Sequence, residues 1–535
     1  MKKKYLPLII GAAAAVGILV GGKLNFTDSP EPIFSSNSKK DKLNRLIDYI
    51  EYEYVDEVDT DSIVDVTVND ILDKLDPHSV YIPPEDAQRV AENMQGDFVG
   101  VGISFYMRND SIAVISALEG GPSLKAGIKP GDRVLIADND TLYGKGLSNE
   151  RIIKRLKGAA NTPVSLKVYR KGEASLLNFN INRASVPIKS VDAAYMLTDN
   201  LGYIKIDRFA ETTFKEFKKA LDNLIAQGAD QLALDLRDNP GGYLGIAEEI
   251  ADEFLEDEKL ILFTKNKKGK IDKTYATERG DFEDGHVYVI INERSASASE
   301  IIAGALQDND KGTIVGRRSF GKGLVQREMA LGDGSSVRLT ISRYYTPTGR
   351  SIQRPYENGN KDYYKEIYSR YHNGEMKSAD SIKVADSLKF TTPKGKIVYG
   401  GGGIIPDVFV PARNTLEEEG LEFLLRSAFL NNFVFDYLDR DRKRYDGLTE
   451  DEFVNMVDIE ESNFEEFKLL AQRQNINIAF GAYRIKIKQF IKAIIAQQLY
   501  GTNAYERILN KGDRMVEKVI ELSKEKALLE QEMVD

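Results

Sequence analysis

Hydrophobic residues return at helical spacing near the beginning of the chain and again near its end. From residue 41 to about residue 95 this spacing predicts amphipathic helices, interrupted by a turn at residues 75–81. The helical pattern begins with Leu43, Leu46, Ile47 and Ile50. After Pro411 the same spacing reappears in a highly charged background, which predicts a separate all-helical domain at residues 413–535.

Two other patterns fill the middle of the chain. Residues 96–185 contain short apolar runs separated by glycine- and proline-containing turns, which predicts a compact domain of short strands and helices. Residues 190–412 alternate amphipathic helix patterns with buried strand patterns, such as those at residues 202–206, 231–236 and 286–291. This alternation favours an α/β domain with a largely parallel sheet.

The N-terminus carries an export pattern. Residues 2–4 are lysines, and residues 5–22 carry no charge, which is typical of a signal peptide and nearly long enough to span a bilayer. No Ala-x-Ala cleavage site closes the stretch before Lys23, which favours an uncleaved anchor over a cleaved signal. We therefore expect a signal peptide or membrane anchor at residues 1–24, a polar tether at residues 25–40, and a location on the periplasmic side of the inner membrane.

Composition narrows the possible functions. With 42% hydrophobic and 29% charged residues, the chain has an ordinary globular composition. A formal net charge of -10 argues against a dedicated nucleic-acid binder, so no nucleic-acid partner is expected. The chain has no cysteine, which excludes thiol catalysis and cysteine-ligated metal sites.

A candidate nucleophile and a candidate base follow one another in the predicted α/β domain. The segment 295–300, Ser-Ala-Ser-Ala-Ser-Glu, places Ser297 among small residues at a predicted strand-to-helix turn. Lys322 follows, between Gly321 and Gly323. The chain has three histidines, and none lies between the serine and the lysine. If the protein performs acyl transfer, lysine is therefore the best available base for a serine nucleophile.

Ser297 also fits a structural role. With Glu300 it forms the Ser-x-x-Glu pattern of a helix capping box. The two roles are compatible, because a serine at a helix N-terminus exposes its oxygen beside backbone N–H groups that stabilise an oxyanion. The turn at residues 239–242, Asn-Pro-Gly-Gly, follows a predicted central strand and supplies further N–H groups suited to an oxyanion hole.

Lys322 has the neighbours of a desolvated base. A lysine accepts a proton only when neutral, so its pKa must fall by several units from roughly 10.4, which burial achieves. No carboxylate is adjacent in sequence, and Gln326 lies on the same strand face, where its side chain can hydrogen-bond the amine. Residues 316–322 nearly match a phosphate-binding loop, but Gly323 stands where a magnesium-ligating Ser or Thr belongs, so no nucleotide is expected.

These motifs together resemble the carboxyl-terminal processing, or tail-specific, protease family. The resemblance covers residues 41–412 and rests on several motifs in the same order, at residues 75–81, 100–103, 238–242, 295–300, 320–323, 345–352 and 403–407. It implies an α/β fold in which a crotonase/ClpP-like catalytic domain at residues 190–412 carries an inserted PDZ domain at residues 96–185. An N-terminal helical region at residues 41–95 precedes them.

The resemblance also implies residue roles. Carried over by position, Ser297 would be the nucleophile, Lys322 the base and Gln326 its positioning partner. The oxyanion hole would be formed by the backbone N–H group of Ala298 together with that of Gly241 or Gly242. The family implies no metal and no cofactor.

In the PDZ domain, the resemblance implies a site for the end of a polypeptide. The amides of Val101, Gly102 and Ile103 would hold a free C-terminal carboxylate while the peptide pairs with a strand edge. On these residues alone, an ordinary hairpin with glycine turns remains the alternative. The partners expected are polypeptide substrates with a free C-terminus, the membrane through the N-terminal segment, and an adaptor or a second copy through residues 413–535.

The expected function is that of an exported serine endopeptidase that recognises C-terminal tails and cleaves unfolded or tail-exposed proteins. One alternative is a catalytically silent PDZ scaffold that binds protein C-termini, which the presence of both Ser297 and Lys322 argues against. A second alternative is a crotonase-like acyl-CoA enzyme, which the export pattern and the PDZ-like segment disfavour.

Overall fold

The computed structural model describes residues 38–108, 110–144, 146–412, 416–476 and 478–534. The helices are α1 (Ser38–Glu53), α2 (Thr60–Leu72), α3 (Pro84–Gln95), α4 (Pro122–Ala126), α5 (Asn149–Leu156), α6 (Thr213–Ala226), α7 (Leu244–Asp252), α8 (Ala298–Asp308), α9 (Asn360–His372), α10 (Leu416–Arg426), α11 (Ala428–Arg440), α12 (Glu450–Met456), α13 (Glu461–Arg473), α14 (Arg484–Tyr500), α15 (Thr502–Leu509) and α16 (Arg514–Val534). The strands are β1 (Val80–Ile82), β2 (Asp97–Gly100), β3 (Ile103–Arg108), β4 (Ser111–Ala117), β5 (Arg133–Ala137), β6 (Asp140–Thr141), β7 (Pro163–Tyr169), β8 (Leu177–Asn182), β9 (Ala184–Pro187), β10 (Val191–Met196), β11 (Leu201–Ile206), β12 (Gln231–Asp235), β13 (Leu260–Asn266), β14 (Ile271–Tyr275), β15 (His286–Ile291), β16 (Gly312–Gly316), β17 (Leu324–Ala330), β18 (Ser336–Tyr345), β19 (Lys389–Thr391), β20 (Ile397–Tyr399) and β21 (Val408–Phe409).

The chain divides into two compact units, Met1–Ile71 and Leu72–Asp535. In the first unit, the structure describes α1 and most of α2, where the apolar spacing predicts helices. The predicted signal or anchor at residues 1–24 and nearly all of the predicted tether at residues 25–40 lie outside the described residues. Within the part of the chain that the structure describes, no helix is both long enough and apolar enough to cross a membrane.

A six-stranded sheet in the order β10-β11-β12-β15-β16-β21 forms the centre of the α/β region. Every neighbouring pair in it is parallel except β10 and β11, so the predicted α/β fold with a largely parallel sheet is confirmed. Strands β12 and β15 are buried along nearly their whole length, as strands covered on both faces must be. Because they are parallel, the turn after β12 and the serine segment after β15 leave the sheet at the same edge.

Helices cover both faces of this sheet. One face packs against α6, α7 and α8 in an apolar core that includes Phe217, Ile250 and Ile302. On the other face, Tyr288 and its neighbours share a second core with Val519 of α16. The helix α16 therefore packs on the six-stranded sheet, although the sequence predicts a separate domain for the C-terminal helices.

A second, antiparallel sheet contains β17, which begins two residues after Lys322. Its order is β1-β18-β13-β14, and β17 also pairs with β18. The sequence does not predict β1, because three residues are too few for a periodic pattern and their extended conformation depends on pairing with β18. Gln326 of β17 lies opposite Thr340 of β18. Because β18 pairs with both β1 and β17, it brings the predicted turn at residues 75–81 close to β17.

The segment that resembles a PDZ domain folds around its own core. An antiparallel sheet in the order β3-β4-β5-β7-β8 packs with the short helices α4 and α5. The core includes Val114, Val134, Ile152 and Leu166, all fully buried. Strand β2 pairs with β9, so the chain enters and leaves this domain side by side. Strand β3 lies at the edge of the five-strand path, which leaves one side of it without a partner strand in the described sheet.

The helices α10 to α15 enclose a further apolar core, which includes Phe433, Phe453, Phe467 and Ile491. Charged residues connect this helical region to the rest of the second unit. Arg108 of β3 forms a two-point ion pair with Asp436 of α11. Lys205 of β11 pairs with Glu506 of α15 at 2.7 Å. The helical region therefore contacts both the segment that resembles a PDZ domain and the six-stranded sheet.

Candidate active site

Ser297 caps the N-terminus of α8 in an unusual backbone conformation. Its φ is +55° and its ψ is −111°, which a residue other than glycine adopts only when surrounding contacts enforce it. The contacts are local: its N–H donates to Glu300 Oε2 at 2.9 Å, and its carbonyl accepts the N–H groups of Glu300 and Ile301. The side chain is partly exposed. The turn thus presents the serine hydroxyl at the start of the helix.

Glu300 joins the serine segment to the lysine loop. Its carboxylate is fully buried and accepts four hydrogen bonds, since besides Ser297 N–H it receives those of Gly321 at 2.6 Å and Lys322 at 2.8 Å and the Ser319 hydroxyl. Burial raises the pKa of Glu300, and these hydrogen bonds oppose the rise. Because all four partners donate, the ionised carboxylate fits the site. The sequence predicts Glu300 as a helix cap and does not predict this second contact.

Tyr344 of β18 adds a second connection between the same two segments. Its hydroxyl lies 3.2 Å from the carbonyl oxygen of Ser297 and 2.9 Å from that of Lys322. The ring is buried at 1% exposure, so the hydroxyl cannot turn to solvent instead. The backbones of the candidate nucleophile and the candidate base are therefore held together from both sides.

The Lys322 amine lies in a desolvated position beside Gln326. Its Nζ donates to Gln326 Oε1 at 2.8 Å. Burial, and after it the positive charge of Arg338, lower the pKa of Lys322 to about 8, while Glu300 and Asp76 oppose the change. About half of the amine is then neutral at a pH near 8. Among the described residues no hydrogen bond joins Lys322 Nζ to the serine hydroxyl, and such bonds often form only when substrate binds.

The turn after β12 is fastened to the serine segment. The carbonyl of Asn239 accepts the N–H of Ala296 at 2.9 Å, and its Oδ1 accepts the N–H of Gly241 at 2.8 Å. Gly241 has a φ of +103°, and a Cβ there would lie 2.8 Å from the Cβ of Ser297. Glycine is therefore the residue that permits this close approach.

Two of the three amides predicted for an oxyanion hole are available. The N–H groups of Ala298 and Gly242 have no acceptor in the part of the chain that the structure describes. The N–H of Gly241 is already engaged by Asn239. Ala298 is the first residue of α8, where the helix dipole also favours negative charge.

Sequence reasoning does not predict His78 at this site. Its Nε2 lies 2.9 Å from the hydroxyl oxygen of Tyr363, and its carbonyl accepts a hydrogen bond from Gln326 Nε2. Burial, and then the charge of Lys322, lower the pKa of His78 to about 3, so the imidazole is neutral and a poor proton acceptor. The sequence predicts a turn at residues 75–81, but nothing in the residue types or their spacing predicts that this turn contacts the residues around Lys322.

The PDZ loop precedes the edge strand. The N–H of Val101 donates to the carbonyl of Leu156 at 3.2 Å, so it is engaged within the domain. Gly102 has a φ of +75°, and among the described residues its N–H has no acceptor. Ile103 begins β3. A peptide can add to a sheet as an extra strand along an open edge such as that of β3, and backbone N–H groups in a loop next to that edge can bind its C-terminal carboxylate.

Comparison with known families assigns the chain. The model of peptidase family S41 matches residues 200–359, and a PDZ domain model matches residues 99–181. A family of unknown function, DUF8443, matches residues 421–501. The carboxy-terminal-processing protease of Bartonella bacilliformis is 32% identical over 358 residues, which are 66% of this chain and 81% of that protein. The chain belongs to the carboxy-terminal processing protease family.

A second relative and one solved structure are also similar to this protease. The carboxy-terminal processing protease CtpB of Bacillus subtilis is 35% identical over 318 residues, which are 59% of this chain and 65% of that protein. A solved photosystem II D1 C-terminal processing protease is 26% identical, covers 69% of this chain and 86% of its own, and superposes with a TM-score of 0.35. The predicted resemblance, the fold class and the serine-peptidase class are confirmed at the level of the family. Because the match spans slightly less than two thirds of CtpB, the substrates of this protease are a matter for proposal.

Within the described residues of this protease, no group of three or more histidine, aspartate and glutamate side chains is placed to hold a metal ion.

Proposed function

We propose that this protease is an exported serine endopeptidase that binds C-terminal tails through its PDZ domain and cleaves unfolded or tail-exposed proteins. Ser297 is the nucleophile and Lys322 is the general base. The observation that carries the proposal is the buried carboxylate of Glu300, which accepts the backbone N–H groups of both residues. This contact holds the backbones of a partly exposed serine and a desolvated lysine together, which supports a role for the two residues as nucleophile and base.

The reaction follows from these positions. Ser297 Oγ attacks the carbonyl carbon of the scissile peptide bond while its proton passes to the neutral Lys322 amine. The N–H groups of Ala298 and Gly242 donate to the oxyanion that forms. The lysine ammonium then returns the proton to the leaving amine as the C–N bond breaks, which leaves Ser297 acylated. A water molecule gives its proton to Lys322 and attacks the ester, and the proton returns to Ser297 as the acid product leaves.

The PDZ domain supplies the substrate preference. A free C-terminal carboxylate meets the amides at the loop before β3, and the tail pairs with the open side of that strand. The N–H groups of Gly102 and Ile103 are the donors that we assign to the carboxylate, since the N–H of Val101 is engaged with Leu156. The chemistry at Ser297 itself does not require a chain end, so cleavage occurs within the chain that the tail anchors.

The test is cleavage of an unfolded protein by the full-length chain, with Ser297→Ala and Lys322→Ala as variants and mass spectrometry as the measurement. We expect cleavage by the wild type and loss of at least about 1,000-fold in each variant. The same substrate with an amidated C-terminus should be cleaved more slowly by the wild type. Tail binding by all three proteins without cleavage by any would favour the scaffold alternative.

Export and membrane anchoring rest on the N-terminal sequence and extend the proposal. The lysines at residues 2–4 and the uncharged residues 5–22 support an anchor whose basic end stays in the cytoplasm. Fractionation of cells that produce the full chain, with protease added to intact spheroplasts, tests both points. Recovery in the soluble cytoplasm would contradict them.

Adaptor binding or self-association through residues 413–535 stays a prediction, which sedimentation of the purified chain tests.

A further inference from the structure

The orientation of the Gln326 amide is determined by a backbone carbonyl. Gln326 Nε2 donates to the carbonyl oxygen of His78, and Gln326 Oε1 accepts from Lys322 Nζ at 2.8 Å. A carbonyl oxygen only accepts hydrogen bonds, so the NH₂ end of the amide must face His78. The oxygen end must then face the lysine amine. The position of the His78 carbonyl therefore decides whether Lys322 has an acceptor.

A buried carboxylate, that of Asp76, holds one side of the turn that contains His78. Asp76 Oδ1 accepts the N–H groups of His78 and Ser79, both at 2.9 Å, and Oδ2 accepts the Ser79 hydroxyl at 2.7 Å. Asp76 is 7% exposed and Ser79 is 3% exposed. The Ser79 Oγ also accepts the N–H of Thr340 at 3.2 Å, and Thr340 lies opposite Gln326 in the pairing of β17 with β18. The Asp76 carboxylate thus fixes the turn, and the Ser79 hydroxyl that it accepts joins the turn to β18 opposite Gln326.

Helix α9 supports the other side of the turn. The Tyr364 hydroxyl donates to the carbonyl of Pro77 at 2.9 Å, and the Tyr363 hydroxyl lies 2.9 Å from Nε2 of the His78 ring. The His78 ring also packs edge-on against Phe320, which lies two residues before Lys322. The turn is therefore confined on two sides, and the His78 carbonyl points where Gln326 needs an acceptor.

We propose that Asp76 is a positioning residue for the general base: it fixes the turn whose carbonyl orients Gln326, and through Gln326 it directs the Lys322 amine toward Ser297. The proposal rests on the proposed Ser297–Lys322 chemistry. A neutral lysine amine has two N–H bonds and one lone pair. When one N–H is committed to Gln326 Oε1, the directions left to the lone pair are restricted, and proton transfer depends on that direction.

Besides its hydrogen bonds, the negative charge of Asp76 acts on the pKa of Lys322. The charged groups that act on Lys322 are Arg338 of β18, Glu300 of α8 and Asp76 of the turn, and the His78 ring is neutral. The negative charge of Asp76 raises the pKa of Lys322, so its removal lowers that pKa. General damage to the fold would instead hydrate Lys322 and raise its pKa toward the ordinary value.

The first test is a double-mutant cycle on cleavage by the full-length chain. Asp76→Asn should lower kcat by about 10- to 100-fold and change KM little, because the base is misdirected while tail binding is intact. Gln326→Ala should have a similar effect. If Asp76 acts through Gln326, the double variant should be little worse than Gln326→Ala alone. Effects that multiply in the double variant would overturn the proposal.

Two further variants serve as a milder disruption of the same turn and as a control. Ser79→Ala removes one of the three bonds to Asp76 and should lower kcat in the same direction but less, even if Asp76→Asn folds poorly. Asp73→Asn removes an exposed carboxylate three residues away that only accepts from Asn360 Nδ2 in the described structure, and kcat should not change. A normal kcat in both Asp76→Asn and Ser79→Ala would contradict the proposal.

The second test does not depend on cleavage. NMR titration of the protein labelled with ¹³C at the lysine side chains, with the Lys322 signal assigned from Lys322→Arg, measures the pKa of the amine directly. We expect a lower pKa in Asp76→Asn than in the wild type. An unchanged or higher pKa would overturn the proposal even if the wild type cleaves nothing. A lowered pKa in a chain that cleaves no substrate would show that Asp76 acts on Lys322 and would count against the proposed function instead.

Discussion

At the scale of single residues, the site depends on buried carboxylates that accept backbone N–H groups rather than on contacts between the reacting side chains. Glu300 receives two donors on each of its oxygens. Asp76 receives two donors on Oδ1 and one on Oδ2, all from the turn that carries His78. A buried carboxylate whose lone pairs are all occupied holds its partners in one geometry, because any other geometry leaves a donor unsatisfied.

Glu300→Gln tests this arrangement. Whichever oxygen the amide nitrogen replaces, two donors then face an NH₂ group. We expect kcat to fall by about 100-fold as the serine and lysine segments separate, together with a stability loss of about 1–3 kcal/mol. Glu253→Gln is the matched control, since Glu253 is also buried but accepts from Lys218 and Asp281 N–H far from Ser297 in sequence. It should lose stability without losing kcat, and an equal loss of kcat would contradict the role of Glu300.

The lysine base predicts a pH profile. The proposed base, Lys322, accepts a proton only when it is neutral, so kcat/KM should rise as the pH increases through its pKa of about 8. Arg338→Gln removes a positive charge that lowers this pKa, so the rise should move to higher pH. Arg327→Gln makes the same change of charge at an exposed position on β17 and should leave the profile in place. A rise that moves to lower pH in Arg338→Gln would be incompatible with a lysine base.

At the scale of elements, the functional parts lie where strands end or remain unpaired. Parallel strands β12 and β15 deliver the glycine turn and the serine segment to one edge of the sheet. In the PDZ domain, β3 keeps one side open next to a loop with a left-handed glycine. In the described part of the chain, both places offer backbone N–H groups without a partner, whereas in helix interiors and between paired strands these groups are already engaged.

Gly102→Ala tests the PDZ loop. With a φ of +75°, and with a Cβ that would lie 3.1 Å from Gly121 Cα and from a Val186 methyl group, alanine should distort the loop. A penalty of about 1–2 kcal/mol corresponds to roughly tenfold weaker binding of a fluorescent peptide with a free C-terminus. Gly127→Ala has a φ of +88° with open space around it, so it adds the backbone strain without touching the loop. Equal binding by both variants would argue against this loop as the tail site.

At the scale of the whole molecule, the C-terminal helices take part in the second unit and do not form a free appendage. Helix α16 covers one face of the catalytic sheet, and Arg108 connects the PDZ edge strand to α11. The same helical region contacts the catalytic sheet through Lys205 and Glu506. A substitution that disrupts these contacts in the helical region is therefore expected to lower the stability of the catalytic domain.

Val519→Asp tests this dependence. Val519 is fully buried among the residues that cover the sheet, so an unpaired charge there should cost about 3 kcal/mol or more. The expected result is a lower melting temperature for the catalytic domain, followed by circular dichroism and by loss of peptide cleavage on warming. Lys518→Asp introduces the same side chain one residue earlier, at a position with 32% side-chain exposure, and should be nearly neutral. An unchanged melting temperature in Val519→Asp would show that α16 does not stabilise the sheet.

Much of this protein could be predicted from local patterns. The parallel α/β sheet follows from apolar runs that alternate with amphipathic helices, and the resemblance to the family rests on ordered motifs. Ser297 and Lys322 stand out because small residues at a helix start and glycines around a lysine are signals within a few residues. The contact of Lys322 with Gln326 is predicted from two residues on one strand face. The structure places Lys322 in the loop before β17 instead, and its Nζ still lies 2.8 Å from Gln326 Oε1.

Only the tertiary structure decided the contacts between distant segments. The sequence by itself does not link Asp76 and His78 to Gln326, and it does not assign Glu300 a role at Lys322, because hydrogen bonds between segments leave no periodic pattern. The choice between the amides of Gly241 and Gly242 likewise depends on the Asn239 side chain, which engages the first of them. The sequence determined which groups are available for the chemistry, and the fold decided how buried carboxylates and backbone carbonyls orient them, since a hydrogen bond exists only when both partners reach the same place.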